Sequence, residues 1–444
     1  REWMPTPVQQ VTQDDIAAGK DRLVVAPTGS GKTMAAILPL LDRCLREEWT
    51  GMSILYITPL RALNRDVDRR LEEITSAVGL TLGLRHGDTP QSERNKHVRK
   101  PPNVMITTPE TFQLMFTGSR LRELLRTVKA VVIDEIHEIA DGERGWQLSV
   151  GLSRLESFKG SPVQKVGLSA TIGNPEQVAK WLSNDTKPIV AIAPRYTELS
   201  VDAIIQTPED EIGSLELAIS PRAHATLRGL ADIISKRHPC LVFVNSRNSA
   251  ETVSQRLQAI GPDLAIGVHH GSLAKETRAQ MEDDLREGKL QGLVCTSSLE
   301  LGIDVGSVNH IVQIRSPRSV DRILQRVGRA DHRLCGSGSG NLGGWERDDL
   351  IEAAVIARKA IAGEIEPVVW REKPLSVAAN QIVMMVHSHG ALPIDTITEA
   401  IAGAGQFEGW RREDTIAIGN VLADGWVIRC EENPKDVPWY RWPH

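Results

Sequence analysis

APTGSGKT, residues 26–33, grows out of the apolar run DRLVVA and opens a helical stretch at Gly31. A strand, a glycine-rich loop and a helix start in that order form a phosphate cradle. Thr28, Gly29, Ser30 and Gly31 would turn backbone N–H groups toward phosphate oxygens. Lys32 would reach the outer phosphates, and Thr33 would offer a hydroxyl to Mg2+. Ala26 stands where the strict pattern asks for Gly. About a hundred residues on, VVIDEIHE (131–138) ends an apolar run at Asp134. Its carboxylate would emerge at the sheet edge where ligands of parallel sheets bind, and would hold Mg2+. Glu135 is the candidate to orient and activate a water. The two segments together imply hydrolysis of a nucleoside triphosphate.

Working outward, short Val- and Ile-rich runs alternate with amphipathic stretches from Asp21 to about Ile192. DRLVVA, SILYIT, NVMITT, AVVIDE and QKVGLS read as buried strands, and Arg61–Val78 as a helix. Such alternation implies a parallel sheet covered on both faces. The pattern restarts after about Ser220 with the strands CLVFVNS, LAIGVHH, LQGLVCTS and VNHIVQI. The helices Ala250–Ile260 and Lys275–Arg286 lie between them, and Ala193–Ser220 reads as the connection. GSGSGNLGG (336–344) reads as a flexible loop by composition. A helix over Asp348–Ala362 follows, then helices over Leu375–His389, Ile394–Ala404 and Arg411–Ala423 and a strand at WVIRC. Three helices and a terminal strand suggest a winged helix, within which the chain could end. The expected class is α/β, with domains at 1–195, 196–365 and 366–444.

A chain of 444 residues is too long for one core. No apolar run approaches the ~20 residues that span a bilayer, so no membrane partner is expected. The net charge of −5 excludes a globally basic coat, and any nucleic-acid site must be a local groove. The scattered cysteines Cys44, Cys240, Cys295, Cys335 and Cys430 form no CxxC pair, which fits a reduced, cytoplasmic compartment. A start at Arg1 and an end at PWYRWPH suggest a piece of a longer protein. HSH (387–389) lacks the cysteines or acids of a metal site. Trp345, Trp370, Trp410, Trp426, Trp439 and Trp442 cluster in the last hundred residues, where filling a core or seam is favoured over stacking on bases.

A nucleotide site on one domain needs further charge on the γ-phosphate, which arginines from a second domain can supply. QRVGRADHR (325–333) offers Arg326, Arg329 and Arg333, with Arg326 and Arg329 as the catalytic candidates.

With these residues in place the chain resembles a superfamily 2 helicase, whose motifs appear in order. They are TPVQ (6–9), TPLRALNRD (58–66), TTPE (107–110), DEIH (134–137), SAT (169–171), FVNSR (243–247), HHGSL (269–273), TSSLELGID (296–304) and QRVGRADHR. Within that superfamily it is similar to the Lhr, or large helicase-related, group. ERGWQLSVGLSRLES (143–157), SPRSVDRILQRVGRADHR (316–333) and DDLIEAAVIARKAIAGEIEP (348–367) carry the likeness. The resemblance implies two tandem RecA-like domains and a small helical winged-helix domain. It implies ATP and Mg2+ as cofactors, and 3′-to-5′ movement on single-stranded DNA. Forked duplexes and DNA–RNA hybrids would be separated, in DNA repair or recombination. RNA is a further partner left open by motifs that grip phosphates, and a non-hydrolysing clamp is the reading from a different class.

The same resemblance places Gln9 on adenine, with Trp3 upstream of it, and Asp304 and Arg329 on the nucleotide. It makes His137, Ser169, Thr171 and Gln325 coupling elements. Arg61, Thr108, Ser246, Arg247, His270, Gly271 and Thr296 would touch the strand backbone. Arg65 and Arg69, although in step with Arg61, read as a solvated face among Asp66, Asp68, Glu72 and Glu73. Two positions depart from the group. Asp331 replaces a Gly two residues from Arg329, and His332 stands where relatives often place an arginine. A carboxylate at 331 would pair with Arg329 or Arg333 and weaken the finger, so Asp331→Gly is expected to raise strand-stimulated turnover.

Overall fold

The computed structural model describes residues 4–27, 29–59, 63–191, 197–300, 308–330, 338–344, 346–432 and 438–443. The chain divides into two compact units. One comprises Arg1–Ala26, Ser30–Ala191 and Pro367–His444; the other comprises Pro27–Gly29 and Ile192–Glu366.

The first unit is built on seven parallel strands: β1 (Arg22–Val25), β2 (Ile54–Ile57), β3 (Leu82–Arg85), β4 (Val104–Thr107), β5 (Ala130–Ile133), β6 (Gln164–Ser169) and β7 (Lys187–Val190). Their order is β3-β4-β2-β5-β6-β1-β7. Every residue of β2, β4, β5 and β6 is buried, which explains why these strands read as unbroken apolar runs. Alternate side chains serve two cores. Val24, Tyr56 and Val132 pack with Ile37 and Leu40 of helix Lys32–Arg46 on one face. Leu23, Leu55 and Val131 face Trp146, Leu148 and Leu152 of helix Glu143–Lys159 on the other. β3 and β7 were not expected; β3 is only half covered and β7 is largely open.

The second unit has six parallel strands: β8 (Thr197–Asp202), β9 (Cys240–Phe243), β10 (Ile266–His269), β11 (Gly292–Cys295), β12 (His310–Ile314) and β13 (Gly338–Gly343). The order is β10-β11-β9-β12-β13-β8. Two expectations are corrected here. The glycine-rich stretch expected as a loop is a strand over Gly338–Gly343, paired on both sides. Its glycines serve close packing, since a Cβ on Gly338 would lie 2.7 Å from Val327 Cγ1 and 2.8 Å from the Val327 carbonyl. The stretch expected as a connection supplies edge strand β8 and helix Pro208–Glu216. In the first turn of that helix, fully buried Asp210 accepts from Arg228 and pairs with His224 at 2.8 Å. The Arg228 hydrogen bonds hold the Asp210 carboxyl well below the usual carboxylate range, against the effect of burial.

After helix Arg347–Ala362 the chain enters the C-terminal helices Leu375–His389, Ile394–Ala402 and Arg412–Asp424. Short strands β14 (Ala391–Pro393), β15 (Arg429–Glu432) and β16 (Pro438–Arg441) form an antiparallel sheet in the order β14-β16-β15. This part shares one continuous core with the first sheet: Ile382, Ile397, Ile401 and Phe407 join Trp146, Leu152 and Trp181. Arg154, on the same face of helix Glu143–Lys159, is 3% exposed. Its Cζ lies 4.2 Å from the Phe116 ring centroid, and none of its three nitrogens has a hydrogen-bond partner among the described residues. Burial, with Arg122 nearby, pushes its guanidinium down to about 9.

Trp410 is buried edge-on to Phe407, and Trp442 packs against His387. Trp426 departs from the expected pattern: it is 81% exposed, with φ at 59°. His389 hydrogen-bonds Met385 O, so the HSH segment is packed. No helix among the described residues is long and apolar enough to cross a membrane.

Candidate nucleotide and nucleic-acid sites

All strands of each large sheet run the same way, so the loops leaving their C-terminal ends gather along one edge. In the first unit this edge carries Ala26 and Ser30–Thr33 of the phosphate loop after β1, Thr108 after β4, Asp134 and Glu135 after β5, and the SAT segment at the end of β6. Gly31 caps helix Lys32–Arg46 with φ at 91°, a conformation that favours glycine. A Cβ there would also lie 2.7 Å from Gln9 Nε2. Gln9 is buried; it accepts from Thr6 N at 2.9 Å and donates to Gly31 O at 3.3 Å. In this structure it braces the loop. Lys32 is 7% exposed and donates to Ala26 O at 2.8 Å, across the mouth of the loop. Ser30 Oγ is buried with no partner among the described residues, leaving a hydroxyl whose bonding capacity a phosphate oxygen would use.

Asp134 is buried at the end of β5, and Glu135 N donates to its Oδ1 at 3.0 Å. Burial and the adjacent charge of Glu135 push the Asp134 carboxyl up to about 7. Tyr56, buried in the middle of β2, donates its hydroxyl to Asp134 Oδ2 and is also hydrogen-bonded to Thr33. A carboxylate and a threonine hydroxyl form a hard oxygen donor set, and the acid lacks enough nearby positive charge to ionise easily. Both properties fit a divalent cation held partly by substrate phosphates. No cluster of three or more His, Cys, Asp or Glu forms a closed metal site among the described residues. Sequence reasoning missed Tyr56, whose run ILYI looks like ordinary core.

Glu135 takes φ 46°, a left-handed conformation unusual for a non-glycine residue. That turn starts the short helix Ile136–Glu138 and aims His137 at β6. His137 Nδ1 lies 3.3 Å from Ser169 Oγ and accepts from Ala170 N at 3.3 Å. It also stands 3.7 Å from the Glu135 carboxylate. The acid turn and the SAT segment are therefore joined through one imidazole. Thr171 next along is exposed.

In the second unit Arg326 is 3% exposed. Its Nε donates to Glu300 Oε1 at 2.8 Å, and its guanidinium also binds Gln313 and covers the Phe243 ring. Arg329 is buried, and its Nη2 donates to the Glu300 carbonyl at 2.8 Å. Glu300 organises both arginines, and the only sequence signal for it is a carboxylate inside TSSLELGID. Gln325 is buried on helix Val320–Val327.

Among the described residues, the expected strand contacts fall past the C-terminal ends of strands within each unit. Thr108 caps helix Pro109–Met115 and accepts from Thr111 N. Ser246, exposed after β9, caps helix Arg247–Ile260 and accepts from Ser249 N at 3.1 Å. Arg247 is exposed beside it, with one nitrogen 4.0 Å from where a Cβ on Gly271 would stand. His270, buried after β10, is set by Glu251 at 2.8 Å. Thr296 follows β11, its hydroxyl toward Ser298. β9, β10 and β11 are adjacent in the sheet, so these five residues share one rim. Trp3, Thr28, Arg61, Asp304, Asp331, His332, Arg333, Cys335 and Trp345 lie outside the described residues.

Known proteins agree with this picture. The DEAD/DEAH box helicase model matches residues 6–178, and the helicase conserved C-terminal domain model matches 225–333. The "Lhr helicase/probable uracil glycosylase" of Mycolicibacterium smegmatis is 37% identical over 86% of this chain and 29% of its own length. The "ATP-dependent helicase Lhr-Core" of Methanothermobacter thermautotrophicus is 35% identical over 96% of this chain and 52% of its own. The chain thus spans about a third to a half of these relatives. A solved Mycobacterium smegmatis helicase Lhr, bound to ssDNA and AMP-PNP, superposes with a TM-score of 0.85 at 35% identity. That match covers 99% of this chain and 59% of the solved one. With two parallel-sheet units, the helicase motifs along their strand ends, and these likenesses over nearly all of its length, the chain belongs to the Lhr family of superfamily 2 helicases.

Proposed function

We propose that this chain is the motor of an ATP-dependent helicase or translocase that runs 3′ to 5′ on single-stranded DNA. It separates duplexes, including forked substrates and DNA–RNA hybrids, in the service of DNA repair or recombination at the nucleoid. The observation that carries this reading is the linkage Tyr56–Asp134–Glu135–His137–Ser169, which ties the acid turn to the loop after β6. The Lhr structure bound to ssDNA and AMP-PNP supports the choice of ligands.

In this proposal Lys32 grips the outer phosphates, Gln9 braces the loop and contacts adenine, and Glu135 orients the attacking water. Thr33 and Asp134 would hold Mg2+, which shields phosphate charge when bound. Arg329 is the finger, and Arg326, occupied by Glu300, positions the segment that bears it. Thr108, Ser246, Arg247, His270, Gly271 and Thr296 contact phosphates without reading bases. The C-terminal helices and small sheet are read as a winged helix, whose exposed Trp426 would stack on a base. The test is ATP-dependent unwinding of 3′-tailed and 5′-tailed duplexes with DNA and RNA tracking strands. Separation of the 3′-tailed DNA substrate is expected. A preference for 5′ tails would overturn the polarity, activity confined to RNA would make the chain an RNA remodeller, and binding without turnover would make it a clamp.

A further inference from the structure

The first unit carries a cleft of about 550 Å3 that none of the nucleotide or strand-contact residues lines. Helix Pro175–Leu182 contributes Glu176 and Lys180. The segment before helix Leu375–His389 contributes Trp370 and Glu372, and the turn at Gly405–Phe407 brings Gln406, with Glu408 beyond it. The walls are fixed to one another. Asn174 exchanges two hydrogen bonds with the Val368 backbone, at 2.8 and 3.0 Å. Lys373 N donates to Gln406 O at 2.8 Å, and Lys373 Nζ donates to Gly409 O at 2.8 Å.

Gln406 is 1% exposed, yet neither its Oε1 nor its Nε2 has a hydrogen-bond partner among the described residues. A buried amide left unsatisfied at both ends is costly, and the cost is removed by a ligand that both donates and accepts. Glu176, Glu372 and Glu408 are exposed around it, and none is in an ion pair among the described residues. Lys180 is the one cation among these lining residues. Such a rim repels phosphates and draws a cation. Trp370 adds an aromatic wall, against which a planar guanidinium stacks better than an ammonium.

We propose that this cleft is a docking site for an arginine-bearing peptide segment of a partner protein. The guanidinium lies against Trp370 and is bound by the carboxylates. The amide of Gln406 pairs with the peptide backbone, accepting from an N–H and donating to a carbonyl. The volume falls within the range of specific small-ligand sites, about 300–1,000 Å3.

The probe is the capped tripeptide acetyl-Gly-Arg-Gly-amide, titrated while following the Trp370 indole N–H resonance, assigned with Trp370→Phe. Saturable movement is expected. The citrulline and lysine counterparts should bind at least tenfold and about threefold more weakly. Glu372→Gln with Glu408→Gln should weaken binding at least tenfold, and these exposed changes leave folding and ATP turnover intact. Gln406→Leu should also weaken it, with an unaltered circular dichroism spectrum. Failure of the arginine peptide to bind overturns the proposal. So does citrulline binding as well as arginine, or indifference to the charge changes. Equal binding by lysine overturns the guanidinium assignment, and saturable binding of adenosine in its place would make the cleft a nucleoside site.

Discussion

At the end of β5 in the first unit, Asp134 is buried beside a second acid, and its carboxyl rises to about 7. In the second unit, past the end of β11, Glu300 is buried against the Arg326 guanidinium, 2.7 Å from Nη2 to Oε1. Both sheets are parallel and present the same edge, but they treat charge differently. The first edge holds like charges together and leaves the Ser30 hydroxyl without a partner among the described residues, so it keeps bonding capacity for a ligand. The second completes itself. Self-pairing suits the proposed role of holding arginines in fixed places; residual valence suits the proposed role of binding nucleotide and metal.

The largest test of this contrast is Lys32→Ala. Strand-stimulated phosphate release should fall on the order of a hundredfold or more, while filter binding to single-stranded DNA survives. Release above a tenth of the parent rate would mean that the first edge does not depend on this cation. Next is Asp210→Asn, which leaves Arg228 beside an uncharged buried partner. The second unit should lose on the order of 3 kcal/mol in urea unfolding. The sign with pH follows from the lowered carboxyl: the stabilisation is complete above the unfolded carboxylate value of about 4 and is lost as pH falls toward the folded value. The advantage of the parent over Asp210→Asn should therefore shrink below about pH 4, and an advantage that grows there would contradict the pairing.

A smaller effect is expected for Tyr56→Phe. Removing the hydroxyl behind Asp134 should raise the Mg2+ concentration needed for half-maximal turnover about tenfold, with the saturated rate less affected. An unchanged Mg2+ titration would show that Tyr56 is only core. The smallest is Arg154→Met. This cation has no side-chain hydrogen bond among the described residues and gains mainly from contact with Phe116. An apolar replacement of similar length should keep stability within about 1 kcal/mol or improve it. A loss of several kcal/mol would show that the buried charge has a function of its own.

The strands that carry chemistry were legible because a doubly covered parallel strand is apolar at every position, as in β5 and β6. Helix Lys275–Arg286 and helix Leu375–His389 also lie where their periodicity placed them. β13 was hidden because its glycines answer to Val327, a partner that composition cannot reveal. β8 was hidden because it is an edge strand in a segment punctuated by prolines. In the site, the motif residues could be named in advance. Tyr56 and Glu300 could not, because each acts through a neighbour distant in sequence: Asp134 for Tyr56, and Arg326 and Arg329 for Glu300. Trp426 shows the limit of counting aromatics, since the other described tryptophans of that region are at least partly covered.

The apolar cluster that runs from β1 and β5 through Trp146 to Ile397, Phe407 and Tyr440 has a practical corollary. The tail end of the chain should not behave as a detachable appendage. Cutting it away near Glu366 would wet a whole flank of the ATP-binding sheet and invite precipitation. Heating should melt the two together in one calorimetric peak, with the arginine-bearing unit free to melt at its own temperature.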